Sequence, residues 1–301
     1  TLCIIVALLA FAPMASACDV CGCSIGGNYF GILPQFHKHF IGLRWSDQSF
    51  RSAHSLSAAR EGIYDSEERF HTADLIGRFY PMRRLQVLVL APYHHFDRID
   101  NGVRTQNHGL GDLSLMGSYI LLDSGDSLNR RWKHTITLGG GVKLPTGKSG
   151  QKDSEGQPLL ENMQTGSGST DFMLSATYTL RRGNWGVAGD VLGRLNTANK
   201  SGYIYGNRVS GSAKAFYVKN LRKLVLLPNA GVFGDLSEPS YSGNSKTIGT
   251  GGFIALSTFG LDVYVGKISF GYTYQIPISQ HLGGGKIQAR NRWLATLNYN
   301  F

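Results

Sequence analysis

The sequence predicts an all-β chain: a transmembrane, antiparallel up-and-down β-barrel of twelve strands. Three observations carry that expectation. Apolar residues recur at period 2, the spacing of a strand with one oily and one wet face, and not at i, i+3, i+4 and i+7 as on an amphipathic helix. No stretch after residue 12 approaches the roughly 20 apolar residues of a spanning helix. A membrane protein without such a helix must close its strands into a barrel, because only closure pairs every backbone group in lipid. The chain also stops on an amphipathic strand: Trp293, Ala295, Leu297, Tyr299 and Phe301 form an apolar stripe, and Arg292, Thr296, Asn298 and Asn300 a polar one.

Taken in order, residues 1–17 read as a truncated signal peptide. Ile4 to Ala12 is an apolar run, and Ala15-Ser16-Ala17 is an A-x-A cleavage site. Cleavage makes Cys18 the mature N-terminus. Ala-Ser-Ala-Cys is also a degenerate lipobox, so lipidation of Cys18 competes with plain cleavage. Residues 18–35, with Gly22, Gly26, Gly27, Gly31 and Pro34, are too irregular for a strand and are expected as a periplasmic tail or a lumen plug. Residues 36–301 are expected to form the barrel.

Twelve segments carry the alternation, near 37–47, 69–81, 85–97, 109–122, 132–145, 170–181, 185–196, 207–219, 223–236, 247–257, 267–278 and 289–301. Their lengths suit barrel strands of about 9–11 residues. In 170–181, Phe172, Leu174, Ala176, Tyr178 and Leu180 oppose Met173, Ser175, Thr177 and Thr179. An even count returns the C-terminus to the periplasmic side. Connections at 82–84, 182–184 and 220–222 are expected as short periplasmic turns, and those at 48–68, 98–108 and 146–169 as longer outer loops. The turns at 123–131 and 258–266 are longer than that rhythm requires. Aromatic residues at strand ends (Trp45, Phe79-Tyr80, Tyr93, Tyr119, Tyr178, Tyr217, Tyr299) resemble interfacial girdles. A final strand closing on Phe301 resembles that of bacterial outer-membrane barrels, where the last aromatic belongs to the signal read by the barrel-assembly machinery. The expected location is therefore the outer membrane of a Gram-negative bacterium, with its lipid as the surrounding partner.

The formal charge of +10 raises nucleic acid as a partner. The basic residues are scattered over turns and strand ends with no RNP-like or zinc-finger pattern, so no nucleic-acid partner is expected. Catalysis is not expected either, since the chain has no G-x-S-x-G elbow and no H-E-x-x-H helix.

At the polar stripes, Gly109-Leu110-Gly111-Asp112-Leu113, the run Gly141-Val142-Lys143-Leu144-Pro145-Thr146-Gly147-Lys148, and Gly166-Ser167-Gly168-Ser169-Thr170-Asp171 follow one another. From about residue 70 onward the chain thereby resembles the outer-membrane transporter family of the MetA-pathway of phenol degradation. The Cys-rich start is similar to that of Bacteroidetes-type members. The resemblance implies passage of small hydrophobic or aromatic compounds.

The polar stripes place Arg44, Asp74, Arg78, His94, Asp112, Lys143, Asp190, Arg194, Lys214, Asp235 and Arg292 in the lumen. Mixed signs suggest ion-pair ladders between strands, or a constriction that filters solutes by charge. Asp190 and Arg194, four apart on one strand, should both face inward. Cys18, Cys21 and Cys23 form C-x-x-C-x-C, and with His37 and His39 this set could ligate copper or zinc. In the oxidising periplasm a disulfide, or lipidation, is the alternative. His54, His71, His94, His95 and His108 fall near outer loops, as a metal-gathering rim or as ordinary interfacial histidines. Three functions follow: passive admission of a small solute, a metal-linked binding or transport protein, and a structural barrel with a filled lumen.

Overall fold

Strand pairing closes on itself. In the computed structural model, which describes residues 39–55, 63–124 and 132–301, twelve antiparallel strands form one ring. They are β1 (Phe40–Ser55), β2 (Ile63–Met82), β3 (Leu85–Asp100), β4 (Val103–Leu110 continued by Leu113–Asp123), β5 (Lys133–Leu144) and β6 (Asp171–Arg182). The ring goes on through β7 (Trp185–Leu195), β8 (Arg208–Tyr217), β9 (Leu224–Ser237), β10 (Gly252–Val265), β11 (Ile268–Leu282) and β12 (Ile287–Ala289 continued by Arg292–Asn300). Each strand pairs with its sequence neighbours. β12 then pairs with β1, from Phe40 opposite Asn300 to Asp47 opposite Trp293, and no edge is left open in the ring.

The side chains sort as the alternation predicts. Leu174, Phe172, Leu297, Tyr299, Phe270 and Leu43 point outward and stand exposed, whereas Gln275, Thr258, Ser269 and Thr179 are buried inside. A soluble barrel would reverse this arrangement. The outward belt is bounded by aromatics, Trp45 and Tyr93 toward one end and Phe79, Tyr178, Trp185 and Tyr299 toward the other. Tyr80 departs from the expected girdle. Because Phe79 faces lipid, the next residue must face inward, and Tyr80 lines the lumen with its hydroxyl 2.8 Å from Gln86 Oε1.

Tight turns at 83–84, 183–184, 222–223 and 266–267 lie at the end where β1 begins and β12 stops, the periplasmic end. Three expected connections are corrected. Residues 98–108 are not a long loop: β3 and β4 run on to a two-residue turn, Asn101-Gly102, with φ of 47° and 85°. Two positive φ values are what a type I′ turn demands, and Asn-Gly supplies them. Likewise most of 258–266 is strand, ending at the Gly266 turn, and most of 48–68 continues β1 and β2. In β4, Leu110 and Leu113 both face lipid although three apart. The extra residue is a bulge at Gly111-Asp112 that turns Asp112 inward.

Leu297 sits midway along the outward stripe between Trp293 and Phe301. Leu297→Arg should destabilise the barrel by about 2–4 kcal/mol, measured by denaturant titration in lipid vesicles. An unchanged midpoint would mean that this face does not meet hydrocarbon.

Candidate functional site

All eleven lumen residues inferred from the polar stripes face inward, and most have identifiable partners. Arg44 Nε donates to Asp74 Oδ2 at 2.8 Å across β1 and β2. The Arg78 guanidinium lies 4.6 Å from the Phe40 ring centre and 5.7 Å from that of Tyr80. His94 stacks on Phe96 and its Nδ1 is 3.0 Å from Thr72 Oγ1. Asp190 accepts from Ser212 Oγ. Asp235 pairs with Arg208 at 3.3 Å. Arg292 donates to Gln275 Oε1 and covers the Phe233 ring at 4.7 Å. Lys214 is buried on β8, and Arg194 lines the outer half of the lumen. Asp190 and Arg194 share a face but line different chambers.

The three glycine-rich motifs meet at one place. Asp112 Oδ2 accepts from Lys143 Nζ at 2.8 Å, from the Ser167 amide at 2.9 Å and from the Ser167 hydroxyl at 2.6 Å, while Oδ1 accepts from the Gly147 amide at 3.0 Å. Lys143 Nζ also reaches Asp171 Oδ2 at 2.7 Å, and Asp171 Oδ1 accepts from Ser169 Oγ at 2.8 Å. Gly147 and Gly166 touch backbone to backbone, and a Cβ on Gly166 would overlap Gly147. This cluster is a brace. Both carboxylates bind the lysine, and Asp112 also binds the Ser167 hydroxyl.

The brace holds both ends of the connection between β5 and β6, residues 145–170. From there the loop crosses the lumen. Its tip, the 3-10 turn Glu161–Met163, seats Leu159 and Met163 on the opposite wall, against Phe50, Phe70, Phe96, Phe233, Ile254, Leu256 and Leu282. Met163 is 1% exposed and Asn162 0%. Burying two such apolar side chains contributes about 1.5–3 kcal/mol each. Asn162 Nδ2 donates to both oxygens of Glu68, at 3.2 and 3.1 Å, and Arg98 Nη1 donates to the same carboxylate at 2.6 Å. The Asn107 side chain donates to the Met163 carbonyl at 2.7 Å. The sequence reading missed Glu68 and Arg98 because both fell in presumed outer loops. It missed the tip because an irregular loop has no period to read. The Asn-Gly dipeptide was the available signal for Arg98.

Among the described residues, two chambers lie in the lumen. The outer one, about 1060 Å³ including its open space, lies beneath the tip and is lined by Asp74, His94, Lys143, Glu161, Arg194 and Arg208. The periplasmic one, about 1360 Å³ counted the same way, has an apolar wall of Phe40, Ile76, Leu88, Met116 and Leu192 facing Thr135, Thr137, Ser175, Thr177, Thr296 and Asn298. Arg44 and Leu294 line both chambers and mark the waist between them.

The candidate metal ligands do not form a described site. Cys18, Cys21, Cys23 and His37, with the whole 18–35 segment, lie outside the described residues. His39 stacks on Phe301 at 5.6 Å, and its Nδ1 accepts the Tyr80 amide at 3.2 Å. The histidine rim is divided. His94 faces the lumen, while His71, His95 and His108 form an outward stacked row beside Trp45, with Asp47 2.7 Å from His71 Nδ1. The His54 side chain is outside the described residues. Among the described residues no three His, Cys, Asp or Glu side chains gather to hold a metal.

A closed ring with an apolar exterior and an ion-paired interior defines a β-barrel protein of the Gram-negative outer membrane. A solved structure agrees on the fold. An outer membrane channel from Pseudomonas putida superposes with a TM-score of 0.62 at 13% identity, covering 88% of this chain and 96% of that one. The β domain of the Bordetella autotransporter BrkA gives 0.48 at 13% identity, over 88% and 99% of the two chains. No family model and no curated protein sequence matches the chain.

Two outcomes test this site. Asp112→Ala takes from Lys143 one of its two carboxylates and leaves the Gly147 and Ser167 amides without their acceptor, and should loosen the loop by about 1–3 kcal/mol. Limited trypsin digestion should then cut at Lys148 or Lys152 while the barrel stays intact. Burial pushes the Glu161 carboxyl above its ordinary value of 4.5, opposed by the Tyr205 hydroxyl 3.1 Å away. Seating the tip therefore binds protons: it is favoured as pH falls through the raised value and disfavoured above it. Bilayer conductance should be lower at about pH 4 than at about pH 7, and Glu161→Gln should flatten that dependence.

Proposed function

We propose that the barrel passively conducts small solutes bearing an apolar or aromatic group across the outer membrane. The apolar wall of the periplasmic chamber carries this reading. A general water-filled pore lines its lumen with polar groups, because greasy surface facing water is unfavourable. Here Phe40, Ile76, Leu88, Met116 and Leu192 form one continuous strip inside the lumen, opposite a strip of hydroxyls and an amide. That division suits a solute with a ring on one side and a polar substituent on the other. The resemblance of the three motifs to the phenol-degradation transporters supports the same class, and the superposed protein from Pseudomonas putida is itself described as a channel.

In this reading Arg44 and Asp74 set the charge at the waist, and the other lumen ion pairs hold the strands around it. The C-terminal strand, with Tyr299 and Phe301 outward, is the segment that the assembly machinery would engage.

The test is flux in proteoliposomes. A phenol-sized probe should equilibrate faster than across protein-free vesicles, and faster than a sugar of similar size. Met116→Gln with Leu192→Gln, which makes the strip polar, should cut probe flux several-fold and leave small-ion conductance in place. Equal flux for the probe and the sugar would sink the proposal.

A further inference from the structure

Resting on that reading, we infer that the wall beneath the loop tip is a binding site for a small apolar solute and that Leu159 and Met163 occupy it as an internal stand-in. The wall is built by seven strands. Phe50, Phe70 and Phe96 come from β1, β2 and β3, with edge-to-face contacts at 5.8 and 5.1 Å, and Phe233, Ile254, Leu256 and Leu282 come from β9, β10 and β11, with Ile287, Ala289 and Leu294 from β12. All point inward, against the rule that a barrel interior is polar. Phe233 carries the Arg292 guanidinium and Phe96 the His94 ring, but the strand pairing itself does not require aromatic residues at these positions. What covers them is known: two unbranched or branched aliphatic side chains carried by a loop. The chemistry of the cover states the chemistry that the wall accepts.

The loop is built to release that cover. Its two ends are fastened by the Asp112–Lys143–Asp171 brace and by the Gly147–Gly166 contact. Its tip is one 3-10 turn without a side-chain cap, held by the Asn162 and Asn107 amides, the Tyr205 hydroxyl and the apolar seat itself, with Gln151 and Asn107 bonded to each other nearer the fastened ends. A swing about the fastened ends lifts Leu159 and Met163 without disturbing a strand. The uncovered wall then lies directly above the outer chamber, to which Phe96 and Leu294 already belong. Solute and tip compete for one surface, so an apolar solute opens its own path by mass action.

The experiment uses the full chain in lipid nanodiscs with the fluorescent probe 1-aminonaphthalene. Replacing the tip side chains, Leu159→Ser with Met163→Ser, removes the stand-in and should tighten probe binding at least about tenfold, the factor that corresponds to 1.4 kcal/mol. Adding Phe96→Ser, or separately Ile254→Ser from the other side of the wall, should abolish the gain. Heat-modifiable migration in gels confirms that each variant is folded, and the two wall variants guard against the failure of one. Unchanged affinity in the tip variant overturns the inference, and so does a gain that survives both wall substitutions. Proteoliposome flux separates the two readings. Tighter binding without flux would sink the conduit and keep the masked site, whereas flux with unaltered binding would do the reverse.

Discussion

A backbone amide in hydrocarbon has no water to bond, and the rest of this structure depends on that fact. Leaving such groups unpaired costs several kcal/mol each, so the sheet must end where it began. The pairing of β12 with β1 completes the ring, with Phe40 opposite Asn300 and Asp47 opposite Trp293. Once the ring is closed, period-2 geometry assigns every side chain to lipid or lumen. A shift of one residue in register would exchange the two faces. That is why Leu43, Leu297 and Phe270, aligned across three strands, all face lipid, and why their neighbours Arg44, Asn298 and Ser269 all face in.

Enclosing polar groups brings its own requirement. Buried charge needs a partner, and Arg44–Asp74, Glu68–Arg98, Arg208–Asp235 and the Asp112–Lys143–Asp171 cluster meet it across adjacent strands or between strand and loop. The pairs therefore act as staves between strands, and their positions leave two open volumes separated at Arg44 and Leu294. The apolar strips inside the lumen do not follow from that requirement. Phe40 to Leu192 at one level, and Phe50 to Leu282 at another, are inward residues that neither closure nor charge pairing explains, which is why they carry the functional reading.

Much of this was legible in the linear order of residues. Alternation such as Phe172, Leu174, Ala176 and Tyr178 against Met173, Ser175, Thr177 and Thr179 separates two faces without reference to any other strand, and the inward position of all eleven lumen candidates follows from it. Asn101-Gly102 was also legible, as a hairpin dipeptide, but the polar outward residues on either side of it suggested a loop. Strands that project beyond the membrane keep their pairing while losing their apolar stripe, and hydropathy alone reads that loss as the end of the strand. Glu68 and Arg98 were hidden for this reason.

Residues 145–170 are the opposite case. Nothing in Leu159-Leu160-Glu161-Asn162-Met163 says that it crosses a lumen, because its conformation is decided by partners far away in the chain: Glu68, Asn107, Phe96 and Tyr205. The strands, their faces and the membrane they suit were determined by the sequence alone, since a two-residue period is a local property of each strand. The brace, the seated tip and the division of the lumen into two chambers were decided only by the tertiary structure, since each rests on contacts between segments that closure brings within reach.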